Sequence, residues 1–388
     1  MTIYVDNFVI YWILISYLAN TTALNNRKMQ KNLKEFYENN PKVFRRRLWK
    51  GPPPEYRWAA WKVISGALQH EVSGAYEESL RKADQFDENE HKVLNQINLD
   101  LNRTYPWHPF FNSEKYGFIG QNVLKKALRS YAMYNPEVGY TQSINFVMGF
   151  FLIVNEGRDE EAFWQFIAIS NRNHCYGSVE NFEGGLGEFY CDNFALYRQF
   201  VYQFESLFEE KLPELKSHFD QLGFYSDIYL QNWFMTLFNC FPMDLWIRLW
   251  DHLLVEGLPY MFKFPLAIMQ ILENDLLAHD LEGVNEIIMS VRKPYGGPLP
   301  PVEEIISKTN KINVTKADLL RLKKEYESNI AKNPPKEIKR LQTLFYDISE
   351  DENKSLDSNI VVKSINENQA DKQVDSSVSI LINLKSVF

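Results

Sequence analysis

The sequence predicts an all-α fold, on three observations. Apolar residues recur every three to four positions in one segment after another. No alternating pattern persists beyond a few residues, and no fixed-period repeat appears. Prolines and glycines stand at the ends of the clearest periodic runs. With 388 residues, 45% hydrophobic and 15% aromatic, the chain can bury a substantial core. Its formal charge of −8 argues against a nucleic-acid footprint. Cys175, Cys191 and Cys240 are too few and too scattered for a disulfide framework or a zinc site, which points to a reducing compartment. The Asn-x-Ser/Thr sequons at Asn20, Asn102, Asn313 and Asn353 carry no information there.

Taken in order, the first element is Phe8 to Ala19, apolar except for Ser16. It is too short to cross about 30 Å of hydrocarbon as a helix. It also carries Asp6 where a signal peptide has positive charge. It reads first as a helix packed on the body or a start-site artefact, second as a membrane-interface anchor and last as a cleaved signal. Lys31 to Phe44 is a polar lead-in, followed by the basic cluster Arg45-Arg46-Arg47. In "GPPPEYRWAAWKVISGAL" the prolines precede a helix start, where a missing N–H costs nothing. Val93, Leu94, Ile97 and Leu101 form the next stripe, on a helix expected to end at Arg103, and Leu124, Leu128, Tyr131 and Met133 another. "FVMGFFLIV" and "EEAFWQFIAI" read as interior helices. The clearest helix is "PMDLWIRLWDHLLVEG", with Pro242 at its entry, Gly257 at its exit and an Arg248–Asp251 pair at i,i+3. "TKADLLRLKKEYE" opens on Thr315 as an expected cap. After about Ser349 the composition turns to Asn, Ser, Asp, Lys and Glu, a disordered tail with an apolar end.

Chemistry-bearing residues are few. "GGLG" at Gly184–Gly187 has neither the spacing nor the Lys-Ser/Thr of a phosphate-binding loop, and the histidines are isolated. What stands out is an arginine and a glutamine in constrained settings. In "NLDLNRTYPWHPFF", Asp100 is expected at the border of the apolar stripe and Arg103 beyond it, toward solvent, before a stretch stiffened by Pro106 and Pro109. In "NPEVGYTQSINFVMGFF", Tyr140 can pack while Gln142 projects just ahead of an apolar helix. On their own, an arginine beside an i−3 aspartate is usually a surface ion pair, and a glutamine at a helix start a capping or solvated residue.

At these residues the chain resembles the TBC-domain GTPase activators of Rab proteins. "INLDLNR" matches their I-x-x-D-x-x-R motif and "YTQ" their Y-x-Q motif. "KGPPPEYRWAAW" resembles their opening K-G-I-P-x-x-x-R-x-x-x-W, and "WFMTLFNCFPMDLWIRLWDHLLVEG" is similar further on. The likeness runs from about Lys50 to Tyr326. Departures are mild: Pro52 replaces an aliphatic, while Trp58 and Ser143 each replace a common glycine.

The resemblance implies a two-lobed helical domain over 45–348, preceded by a lead-in over 1–44 and followed by a tail over 349–388. It implies that Arg103 is an arginine finger and Gln142 a water-orienting residue, both supplied in trans to a GTP-bound Rab-type GTPase. Asp100 and Tyr140 would support them, and Arg57 would organise the site or contact the GTPase. The chain would be an activator rather than an enzyme turning over a substrate alone. It would have no cofactor or metal of its own, because Mg2+ and GTP come with the partner. It would act in vesicle traffic, in the cytoplasm or peripherally on endomembranes. A Rab-binding scaffold of the same fold, without activity, is the alternative.

Overall fold

The computed structural model describes residues 28–111, 118–170, 185–190, 194–291 and 297–330. The apolar segment 8–19, Cys175, Cys191, Gly184 and the expected tail lie outside the described residues. Within them the chain is helical, with no strand.

A helix over 28–39 (α1) leads into α2 (Pro41–Trp49), α3 (Pro54–Ser65), the single turn α4 (Ala67–His70), α5 (Ala75–Ala83) and α6 (Lys92–Leu101). Then come α7 (Ile119–Tyr134), α8 (Ile144–Val154), α9 (Asp159–Ser170) and a 3-10 turn (Leu186–Tyr190). The second half holds α10 (Ala195–Lys211), α11 (Pro213–Leu222), α12 (Asp227–Met235), α13 (Met243–Glu256), α14 (Leu258–Leu277), α15 (Leu281–Ser290), α16 (Val302–Lys311) and α17 (Lys316–Glu325).

Local chemistry sets the ends of these helices. Prolines occupy the first turns of α2, α3, α11 and α14, where no intrahelical donor is required. Gly66 closes α3 at φ 77°, a left-handed cap that glycine adopts without strain. Thr315 and Asp318 form a reciprocal capping box at α17, as the sequence led us to expect of Thr315.

The described part of the expected lead-in, from residue 28, is helical. α1 and α2 lie ahead of the main body, and α2 packs Phe44 and Leu48 into the core against α13. The 44/45 boundary therefore falls inside one helix.

Two groups of helices result. In the first, α7 packs on α5, α6, α8 and α9, and α9 covers α3 and α4. In the second, α14 packs on α11, α13, α15 and α16, while α10 packs on α11, α12 and α17. α13 joins them by packing on α2 and α3, and the 3-10 turn bridges α9 and α10. One hydrophobic cluster runs through both groups. Its centre is aromatic: Phe150 of α8 stacks on Trp246 of α13 at 3.6 Å, and Trp61 of α3 lies 5.8 Å from Trp250.

Candidate functional site

α6 ends at Leu101, two residues earlier than the sequence suggests, so Arg103 sits in the turn beyond it. The hydroxyl of Thr104 donates to the Asp100 carbonyl at 2.7 Å, which takes up a last-turn acceptor and bends the chain away. Tyr105 follows at φ 47°, buried, with its hydroxyl donating to the Phe146 carbonyl at 2.7 Å. The exit is two tight turns: His108 N–H donates to Tyr105 O and Phe111 N–H to His108 O, each at 2.9 Å. Burial lowers the His108 pKa to about 4, so its ring is neutral near pH 7, and Nδ1 accepts from the Phe110 N–H at 3.2 Å.

Asp100 corrects the sequence reading most sharply. It lies fully buried rather than at the border of the apolar stripe. Its carboxylate pairs with Arg103 Nη2, accepts from the Tyr140 hydroxyl at 2.5 Å and from Gln96 Nε2 at 3.2 Å. Burial pushes the Asp100 carboxyl above its ordinary range, while Tyr140, Arg103 and Gln96 pull it back. Burial and the facing carboxylate push the Tyr140 hydroxyl well up, so Tyr140 is a neutral donor. Arg103 is 31% exposed and leans on Asp100, while its Nε is buried with no acceptor. Half of its fork is thus anchored to a fixed carboxylate, and the side chain still reaches solvent.

The glutamine segment is tied to the same carboxylate. Two residues beyond Tyr140, Gln142 is exposed at the entry to α8. Gly139 precedes Tyr140 at φ 59°, and Ser143 caps α8 at φ 99° with no side-chain cap bond. Thr141 Oγ1 donates to the Tyr190 carbonyl at 3.1 Å. A buried bridge adds a second tie. Asn145 Nδ2 donates to Thr104 Oγ1 at 2.8 Å, and Asn145 Oδ1 accepts from the Ser143 N–H at 3.1 Å. The structure therefore brings Asp100, Arg103 and Tyr140 into contact and puts Gln142 two residues from that contact. Thr104, Asn145 and Gln96 belong to this constellation, and the sequence reading missed them. Thr104 and Asn145 lie next to the motif residues, but nothing in the sequence announces a bond across 41 positions.

Arg57 goes elsewhere. Its Nε pairs with Asp251 of α13 at 3.2 Å, and its side chain is 14% exposed. Asp251 also accepts from Trp61 Nε1 at 2.9 Å and from Arg248 Nη1 at 2.9 Å, which realises the expected i,i+3 pair. Arg57 thus fastens α3 to α13 and makes no contact with the Asp100 cluster. Among the described residues no group of three His, Cys, Asp or Glu is placed to hold a metal ion. Nor is any helix there long and apolar enough to cross a membrane.

Residues 54–277 match the model of the Rab-GTPase-TBC domain. The chain belongs to the Rab-GTPase-TBC domain family. Among curated proteins, it is 28% identical over 335 residues to the human ecotropic viral integration site 5 protein homolog, covering 86% of this chain and 37% of that protein. It is 29% identical over 298 residues to the Caenorhabditis elegans Rab GTPase-activating protein eat-17, covering 76% and 31% respectively. The chain spans about a third of the length of these relatives. Two solved structures share the TBC fold. The Chlamydomonas flagellar RabGAP TBC domain aligns at TM-score 0.55 and 22% identity, covering 76% of this chain and 93% of its own. The Ypt/Rab-GAP domain of Gyp1p aligns at TM-score 0.54 and 18% identity, covering 76% and 99%. The family match contains the whole Asp100–Gln142 constellation, and also both Arg57 and Asp251.

Proposed function

We propose that this TBC domain accelerates GTP hydrolysis by a Rab-type small GTPase, with Arg103 and Gln142 acting in trans on the partner's bound Mg2+–GTP. One observation carries the reading: a fully buried carboxylate, Asp100, holds both the partly exposed Arg103 and Tyr140, two residues before the exposed Gln142. Hydrolysis spreads negative charge over the transferring phosphoryl group, and an arginine supplied there contributes about 10³–10⁵ in rate. That corresponds to about 4–7 kcal/mol of barrier. Much of such a gain depends on orientation settled before the partner arrives. The Asp100 pair and the anchored Tyr105 turn supply it for Arg103, and the Tyr140 and Asn145 bonds supply it for the Gln142 segment. Gln142, exposed and uncommitted, orients the attacking water. The chain brings no cofactor and turns over nothing alone, and it acts at endomembranes from the cytoplasmic side.

The test is phosphate release from a panel of GTP-loaded Rab proteins with and without the full chain. Stimulation of at least one is expected. Arg103→Lys should lose most of it, because an ammonium lacks the planar fork that spans two phosphate oxygens. Gln142→Ala should be severely impaired with a wild-type GTPase, whereas a GTPase lacking its own water-orienting glutamine should still respond in part. GTP-dependent binding without any stimulation would convert the reading to a silent scaffold.

A further inference from the structure

The basic run ahead of the domain takes no part in the site. Residues 27–50 carry nine Lys and Arg against two Glu, in a chain whose formal charge is −8. The fold sorts these charges. α2 turns Phe44 and Leu48 into the core, and Arg45 follows them inward to donate to the Val255 carbonyl at 3.1 Å. Trp49 Nε1 donates to Glu256 at 3.1 Å, so the helix is pinned along its length to α13. On its other face Lys42, Arg46 and Lys50 follow one another at four-residue intervals, with Arg47 beside them, all exposed. On α1, by contrast, Lys31 and Lys34 each face a glutamate one turn on. Among the described residues no carboxylate pairs with Lys42, Arg46, Arg47 or Lys50. Like charges one turn apart repel, and although Arg46, Arg47 and Lys50 gain from the C-terminal end of α2, the stripe presents a run of positive charge to an outside anion. Arg47 lies over the Phe36 ring at 5.1 Å, which holds α1 against α2 and keeps the stripe on a docked surface.

We propose that this outer face of α2 docks the protein on an anionic lipid membrane. Lipid is favoured over an acidic protein by what precedes it in the sequence. The apolar stretch Phe8 to Ala19 ends eight residues before α1 begins. Eight residues reach at most about 28 Å from the start of α1, and α1 is tied to α2 by the Arg47–Phe36 contact, so the apolar stretch and the stripe can meet the same surface. One apolar insertion alone gives marginal membrane binding, and a polybasic patch is the usual second signal. Each Lys or Arg near an anionic leaflet strengthens attachment about fivefold, within a Debye length of the surface.

The test is co-sedimentation of the full chain with phosphatidylcholine vesicles, with and without phosphatidylserine, in the absence of any GTPase. Binding to the anionic vesicles is expected at about 0.1 M salt and is lost toward about 1 M, where the screening length shrinks to about 3 Å. The variant K42E/R46E/R47E/K50E should bind at least tenfold more weakly. Its melting temperature should fall only slightly, because Phe44 and Leu48 are untouched and only the Arg47–Phe36 contact is lost. K42Q/R46Q provides a milder variant in which the fold is secure, with a smaller loss expected. Deleting residues 1–20 should weaken binding to all vesicles yet keep the preference for anionic ones. Equal binding to neutral and anionic vesicles overturns the proposal, as does undiminished vesicle binding by the folded charge variants. So does a variant that binds vesicles normally but stimulates a soluble GTPase less, which would assign the stripe to the protein partner. None of the vesicle measurements depends on GTPase activation, so either reading can fail alone.

Discussion

Removing the Arg103 side chain takes away the cation paired with the fully buried Asp100 carboxylate. Asp100 already sits above its ordinary pKa because of burial, and loss of Arg103 raises it further. A carboxyl that is raised in the native state binds a proton more readily there than in the unfolded chain. Its burden on stability is therefore absent below the ordinary carboxylate pKa of about 4 and grows as pH rises through the raised value. Arg103→Ala should cost about 1–3 kcal/mol near pH 7, and the gap from wild type should narrow as pH falls. Thermal melts of both proteins from pH 7.5 down to about pH 4 check this; a gap that does not change with pH would detach Arg103 from Asp100. Ser143 makes a second residue-scale case. At φ 99° it holds a conformation that a Cβ disfavours, and its side chain caps nothing. Ser143→Gly should raise stability by about 1 kcal/mol without loss of stimulated hydrolysis, read from the melt and from phosphate release. A drop in stability would mean that the Ser143 side chain holds the loop in a way its contacts do not reveal.

Between elements, the Asp251 cluster joins the first helical group to the second. Arg57 of α3, Trp61 of α3 and Arg248 of α13 converge on one carboxylate with no solvent exposure. Asp251→Ala leaves the Arg57 guanidinium and the Trp61 indole N–H without an acceptor and Arg248 with Glu303 alone, and should cost about 3–5 kcal/mol. Arg57→Ala should lower the melting temperature while sparing stimulation at a temperature where the variant is folded. A folded Arg57→Ala protein with little stimulation would give Arg57 the GTPase-facing role that the motif resemblance implies. The sequence displays the helices because their signals are local: apolar spacing, Pro at entries, Gly66 and Gly257 at exits, Thr315 at a cap. It points to Arg103 and Gln142, the residues of the proposed site, through the motif resemblance alone. It could not display that Asp100 is buried, because Tyr140 stands forty positions away. Nor could it show where Arg57 goes, since its carboxylate lies 194 positions downstream. α6 ends before its apolar periodicity suggests for a related reason: Thr104 competes for a helix carbonyl through its side chain, which periodicity does not register.

At the scale of the whole molecule, the packed core extends beyond the stretch 54–277 that matches the family. On the N-terminal side α2 buries Phe44 and Leu48 and sets Trp49 edge-on to His252 at 4.8 Å. On the C-terminal side α16 and α17 bury Ile305, Ile306, Leu319 and Leu322, and Gln203 of α10 donates to the Leu319 carbonyl at 2.8 Å. Glu303 of α16 pairs with Arg248 at 2.9 Å and so closes the Asp251 cluster from outside. Cutting the chain at 54 and 277 puts the matching faces of α10, α13 and α14 into water. Large apolar side chains contribute about 1.5–3 kcal/mol each on burial. Exposing several of them rivals the net stability of about 5–15 kcal/mol that a folded domain has. A fragment over 28–330 should therefore melt cooperatively, close to the full chain, and stimulate hydrolysis on a soluble GTPase. A fragment over 54–277 should aggregate or melt without cooperativity. Calorimetry and size-exclusion chromatography of the two fragments decide the matter. A 54–277 fragment that melts like the full chain would show that α2, α16 and α17 are accessory, although they cover the core.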